Sequence, residues 1–230
     1  MSTTSSSIVA LACALVSFVP LGAQEAGFGT ELLKHEAWSI RLDASAPRSS
    51  IEVRPVGQDV NVQTETAALV WRPRDRGRGD FVVRATVRIP PGVVGGAGLF
   101  FGGYDMEGMD RNWAACLVRR DGSWSIPHRN GVEFHDFSPW ATHEALKPAD
   151  PEESSADVVE WVVGPERVVC RINGVEVYGF SRARGIVPGG LRTIEGDVGL
   201  RIGAGTRVTF EDFVVEPLAT PAARGIEPPS

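Results

Sequence analysis

The stretch "RINGVEVYGF", residues 171–180, sets an Asn-Gly pair between two runs in which apolar and polar residues alternate. Asn173 and Gly174 both tolerate positive φ, so they predict a two-residue type I′ turn and an antiparallel hairpin. With that turn, Ile172 faces Val175, Arg171 faces Glu176 and Cys170 faces Val177. Paired residues share a face, so one face reads Ile, Val, Cys and the other carries an opposite-charge pair. That pattern describes a sheet with one face in a core.

The same period-two alternation recurs outward in both directions. It predicts strands at 51–56, 60–70, 81–89, 98–104, 113–120, 123–128, 158–163, 167–173, 175–180, 198–202 and 207–216. Only 31–37 offers anything like a helical stripe. Many short strands with Gly, Pro and Asp-Gly punctuation predict an all-β, two-sheet antiparallel jelly-roll sandwich. A second hairpin, "NWAACLVRRDGSWSIPHRNG" (112–131), is expected to turn at Asp121-Gly122. Arg119 then faces Trp124, and Leu117 faces Ile126, with Trp113 on that face too. This face reads as core, which turns Cys116 away from it while Cys170 points in, so no bridge between them is expected.

The chain has 230 residues and a net charge of −6. Residues 1–23 form an apolar stretch ending in small residues and read as a secretory signal, which places the body, 24–217, in the periplasm or outside the cell. No later stretch is expected to insert stably in a membrane. The tail 218–230, "LATPAARGIEPPS", lacks core-forming residues and is expected to be disordered. A mildly acidic chain repels phosphate backbones, which argues against nucleic-acid partners. Nothing in the sequence fixes an oligomeric state.

From Asp80 onward the order of motifs resembles the concanavalin A-like jelly rolls of the DUF1080 and laminin-G type. The matching pieces are "DFVVRATVRI", "GGAGLFFGGYD", "NWAACLVRRDG", "ADVVEWVVGPERVVCRINGVEV" and "GDVGLRIGAGTRVTFEDFVVEPL". The resemblance implies glycan-related work outside the cytoplasm, since the DUF1080 branch includes domains associated with hydrolysis of 3-keto-glycosides. It carries over strands and turns but no catalytic residue. The Glu-x-Asp-x-x-Glu signature of related β-glucanases is absent.

Glycoside hydrolysis needs two carboxylates in different protonation states. The best local set is "YDMEGMDRN" (104–112), with Asp105, Glu107 and Asp110; a solvated loop explains the same residues. That loop could offer oxygens to calcium, though without the dense spacing of a calcium loop. His128, His135 and His143 are seven and eight residues apart, which matches no helical metal pair, and no metal site or other cofactor is expected. The segment between them carries Phe134, Phe137 and Trp140. Aromatic plates beside polar groups suit sugars, whereas a small satellite core explains the same aromatics.

Tyr104, Arg119, Trp124, His128, His135, Trp140 and His143 are therefore the candidate ligand-binding residues, with Arg119 and Trp124 as a cation–π pair. "GVVGGAG" (92–98) lacks the Lys-Ser/Thr of a phosphate loop. The leading reading is an exported, non-catalytic module binding a carbohydrate or glycoconjugate. The alternatives are a hydrolase or lyase on (3-keto-)glycosides, and a structural protein-interaction domain of the cell envelope.

Overall fold

The computed structural model describes residues 32–35, 38–43 and 45–218. Residues 1–23, read above as a secretory signal, and all of the tail 218–230 except Leu218 lie outside the described residues. Within them the protein is an all-β sandwich of two antiparallel sheets. The first sheet runs β1 (Leu32–His35), β2 (Trp38–Leu42), β5 (Ala68–Gly77), β14 (Gly196–Ile202), β7 (Ala97–Tyr104), β8 (Asn112–Val118), β9 (Ser123–Asn130) and β10 (Glu133–Thr142). The second runs β13 (Val175–Ser181), β12 (Arg167–Ile172), β11 (Ser155–Val163), β6 (Phe81–Ile89), β15 (Thr206–Pro217), β4 (Asp59–Thr64) and β3 (Ile51–Val56).

Alternation decides which face is inside. In β6, Phe81, Val83, Ala85, Val87 and Ile89 are buried while the residues between them reach solvent in part. Strand β11 repeats the pattern and sends Trp161 across the sandwich. The Trp161 ring lies 4.5 Å from that of Phe101, and its Nε1–H donates to the Leu99 carbonyl of the opposite sheet at 3.0 Å. This satisfies the one polar atom of a fully buried indole.

Several expectations are corrected. The run 60–70 is two strands, broken at 65–67. Residues 32–35 are strand rather than helix, and β2 and β10 are additional strands. The segment 128–143 is thus a hairpin arm and not a loop. In the Asn-Gly hairpin, Asn173 and Gly174 take φ of 51° and 81°, and Ile172–Val175 and Arg171–Glu176 pair as expected. A bulge then places Cys170 opposite Tyr178 instead of Val177.

The second hairpin carries the largest correction. Arg119 N–H donates to the Ser123 carbonyl at 2.9 Å, so Arg120, Asp121 and Gly122 form a three-residue loop. Gly122 holds φ +79° and the Asp121 carboxylate accepts the Ser123 N–H at 2.9 Å. This is the three-residue connection with a left-handed glycine rather than a type I′ turn. The pairing moves by one residue: Val118 meets Trp124 and Leu117 meets Ser125. A one-residue slip exchanges the faces of a strand. Ala114, Cys116 and Val118 therefore enter the core, and Trp113 and Leu117 turn to the opposite face. Cys116 now meets Cys170, and the two form a disulfide with Cα atoms 6.5 Å apart.

Candidate functional site

The outer face of the eight-stranded sheet is not a polar surface. Leu69, Trp71, Phe100, Met106, Trp113 and Leu117 form a second apolar cluster there. The register assembles it in rows. Arg41, Leu69, Arg201, Gly98, Leu117 and Ser125 are successive cross-strand partners. A second row runs Ser39, Trp71, Gly199, Phe100, Ala115. A third runs Trp113, Arg129, Phe134. Gly98 belongs to the floor because of close approach: a Cβ there would lie 1.8 Å from the Cys116 carbonyl oxygen.

Arginines stand among these aromatics. The Arg201 guanidinium lies 4.9 Å from the Trp113 ring centroid, and its Nη2 donates to Asp43 at 2.5 Å. Phe134 meets the same indole edge-on at 5.9 Å. Arg41 donates to the Met106 carbonyl at 2.7 Å, which ties the β7–β8 loop to β2. Burial depresses the pKa of Arg41, and it brings that of Arg111 down to about 10, with Arg41 and Arg129 as positive neighbours adding to the effect. The face grades outward from fully buried Trp113 to Phe134, which is 47% exposed.

The sequence candidates divide between this face and elsewhere. Arg119 and Trp140 lie together at one end of the sheet, the guanidinium 3.5 Å from the ring centroid. Arg119 thus stacks on Trp140 and not on Trp124, because the three-residue loop turns Trp124 inward, where it is buried beside Tyr178. The Trp140 ring also covers Gly96, where a Cβ would approach it to 2.6 Å. Tyr104 ends β7 and is exposed.

The histidines do not converge on a ligand. His128 is fully buried, stacked on Phe137 at 4.4 Å, with its Nε2 3.4 Å from Asn112 Nδ2. Burial, with His135 contributing, pushes its pKa down to about 4. His135 is exposed and pairs with Glu133 at 3.2 Å. His143 Nδ1 accepts the Ala145 N–H at 3.1 Å and shapes a turn.

Among the acids, the Asp105 carboxylate accepts the Asp110 N–H at 2.9 Å, and the Asp105 carbonyl accepts the Gly108 N–H at 2.9 Å. Asp105 is thus spent on holding its own loop, at a φ of 48°. Burial lowers the Arg41 pKa, and Asp105 and Glu107 stand close enough to oppose that effect in part, so the acidic loop borders the arginine face. Among the described residues no group of three or more His, Cys, Asp or Glu is arranged to hold a metal ion.

Sequence reasoning did not single out Arg41, Arg111, Arg129 and Arg201, which the structure brings to this face. For Arg41 and Arg201 the signal was a lone arginine between apolar neighbours, in Ile40-Arg41-Leu42 and Leu200-Arg201-Ile202; Arg111 and Arg129 stand between polar residues and carried none. An arginine flanked by apolar residues ordinarily marks a solvated outer face.

Comparison with solved structures agrees with this architecture. The carbohydrate-binding module CBM66 from Bacillus subtilis superposes with a TM-score of 0.57 at 12% identity, over 78% of this chain and 95% of that one. A second Bacillus subtilis protein, of galectin-like fold, gives 0.56 at 13% over 78% and 88%. The β-glucanase of Bacillus licheniformis gives 0.54 at 6% over 81% and 95%. The chain is thus a jelly-roll sandwich similar to galectin-like and concanavalin-like proteins, and at these identities the likeness is one of fold. No family model matches the chain. No curated protein matches it either. The DUF1080 branch is therefore not among the likenesses these matches show.

Proposed function

We propose that the protein is an exported, non-catalytic module that binds carbohydrate on the outer face of its eight-stranded sheet. One observation carries this: the half-exposed Phe134 and half-buried Arg129 form the rim of a cluster in which the buried Trp113 ring lies against both Phe134 and the Arg201 guanidinium, on a face that also holds Trp71 and Arg41. Sugars offer apolar C–H faces and oxygen rims, and an exposed phenyl ring beside a partly exposed guanidinium complements both. The CBM66 likeness supports carbohydrate binding by fold analogy, and the β-glucanase likeness is equally compatible with the hydrolase reading below. The buried disulfide supports a periplasmic or extracellular site, because such bonds persist in oxidising compartments.

Binding is favoured over turnover because Asp105 spends its carboxylate on a backbone N–H. The competing reading, a hydrolase or lyase on (3-keto-)glycosides, draws on Glu107 beside the arginine face. A glycan array of the purified chain, with product analysis of every retained sugar, separates the two. Retention without new reducing ends or eliminated products is the expected result. Turnover of any retained sugar gives the site to the hydrolase or lyase reading, and retention of none removes carbohydrate from the account.

A further inference from the structure

Resting on that carbohydrate reading, we infer that the ligand of this face is an anionic saccharide, carrying a carboxylate or sulfate that Arg201 receives beside Trp113. Four strands or strand ends send Arg41, Arg111, Arg129 and Arg201 to the same face. The positive charges act on one another: Arg41, Arg129 and Arg201 each bear on Arg111. Asp43 takes one nitrogen of Arg201, and Asp105 and Glu107 lie at the border near Arg41.

The donors at the centre are what call for an anion. Arg201 is 5% exposed, and among the described residues its Nε and Nη1 have no hydrogen-bond partner. The Nε1 of Trp113 is in the same condition. A guanidinium and an indole N–H have no acceptor capacity, so hydrogen-bond acceptors are what complete them, and the oxygens of a ligand are suited to this. Leaving a buried charged donor unmet is costly, and an ionised acceptor forms the strongest available bond to it. Approach is from the β9–β10 side, where Phe134 is exposed and Arg129 half-buried. A neutral sugar would offer hydroxyl acceptors but no negative charge to set against the four arginines, of which Arg201 is paired with Asp43; an anionic group supplies that charge.

The test uses the whole purified chain and calorimetric titration with three probes. These are oligogalacturonate, its carboxyl-reduced neutral counterpart, and a sulfated galactan oligosaccharide of the same length. The expected result is that at least one anionic probe binds at least tenfold tighter than the neutral one and weakens as salt is raised. Which anionic probe binds better distinguishes carboxylate from sulfate. Arg201→Lys, which keeps the charge, and Arg129→Ala, at a half-buried position, should each lose fivefold or more for the anionic probe while circular dichroism stays that of the parent. Neutral binding equal to or tighter than anionic overturns this inference and leaves the carbohydrate reading standing. No binding of any probe here, together with an empty glycan array, overturns both.

Discussion

Cys116 on β8 and Cys170 on β12 join the two sheets through a disulfide that closes a loop of sequence separation 54. Both are fully buried beside Trp161, the register partner of Cys170. Closing a loop of that length restricts the unfolded chain and stabilises the fold by about 2–4 kcal/mol. Cys116→Ala with Cys170→Ala should lower the melting temperature accordingly, read by thermal unfolding. An equal melting temperature with and without reductant at a denaturing step would show that the bond does not form.

Trp140→Ala should destabilise the protein by about 1–2 kcal/mol. The ring is 36% exposed, stacks on Arg119 and covers Gly96, so it loses a cation–π contact and part of an apolar surface. A core truncation would cost about 3–5 kcal/mol. Thermal unfolding distinguishes the two, and the larger loss would make Trp140 a core residue.

Acid should unfold the protein in part through His128. Its folded-state pKa is pushed down to about 4, below the ordinary value of 6.5. Between those values the unfolded chain takes up a proton that the folded chain refuses, so stability falls as pH drops through that window. Above about 6.5 the imidazole is neutral in both states and the effect vanishes. The loss reaches on the order of 3 kcal/mol near pH 4. His128→Phe should flatten this part of the stability profile relative to the parent; parallel profiles would refute the assignment.

Phe134→Ala should leave the melting temperature within a few degrees of the parent, because the ring is about half exposed. It should weaken binding of a retained glycan by roughly 1–3 kcal/mol, the scale of one lost aromatic contact. Unchanged affinity by titration calorimetry would move the binding site off this face.

The sheet class was legible because alternation in β6, β11 and β15 is a physical consequence of burying one face. Asn173-Gly174 was legible because its two positive φ angles demand those residues. The Asp121-Gly122 pair was misread because Asp-Gly serves two loops of different length. Only the Asp121 carboxylate holding Ser123 N–H, a contact formed in three dimensions, selects between them. That single residue exchanged the faces of β8, hid the disulfide and put Trp113 in the wrong layer. The candidate site fared worse than the fold for a related reason. Arg41 and Arg201 lie 160 positions apart in the sequence, yet both are register partners of Leu69, and nothing local links them.

Strand β10 has one side open among the described residues, and two irregularities interrupt its pairing with β9 between Asp136 and Ala141. Pro139, within that stretch, has no N–H to offer. A neighbouring molecule looking for an edge to extend would find no continuous run of donors and acceptors there. The strand that shows Phe134 and Trp140 to water is therefore poorly suited to pair edge-to-edge with a second copy of the chain.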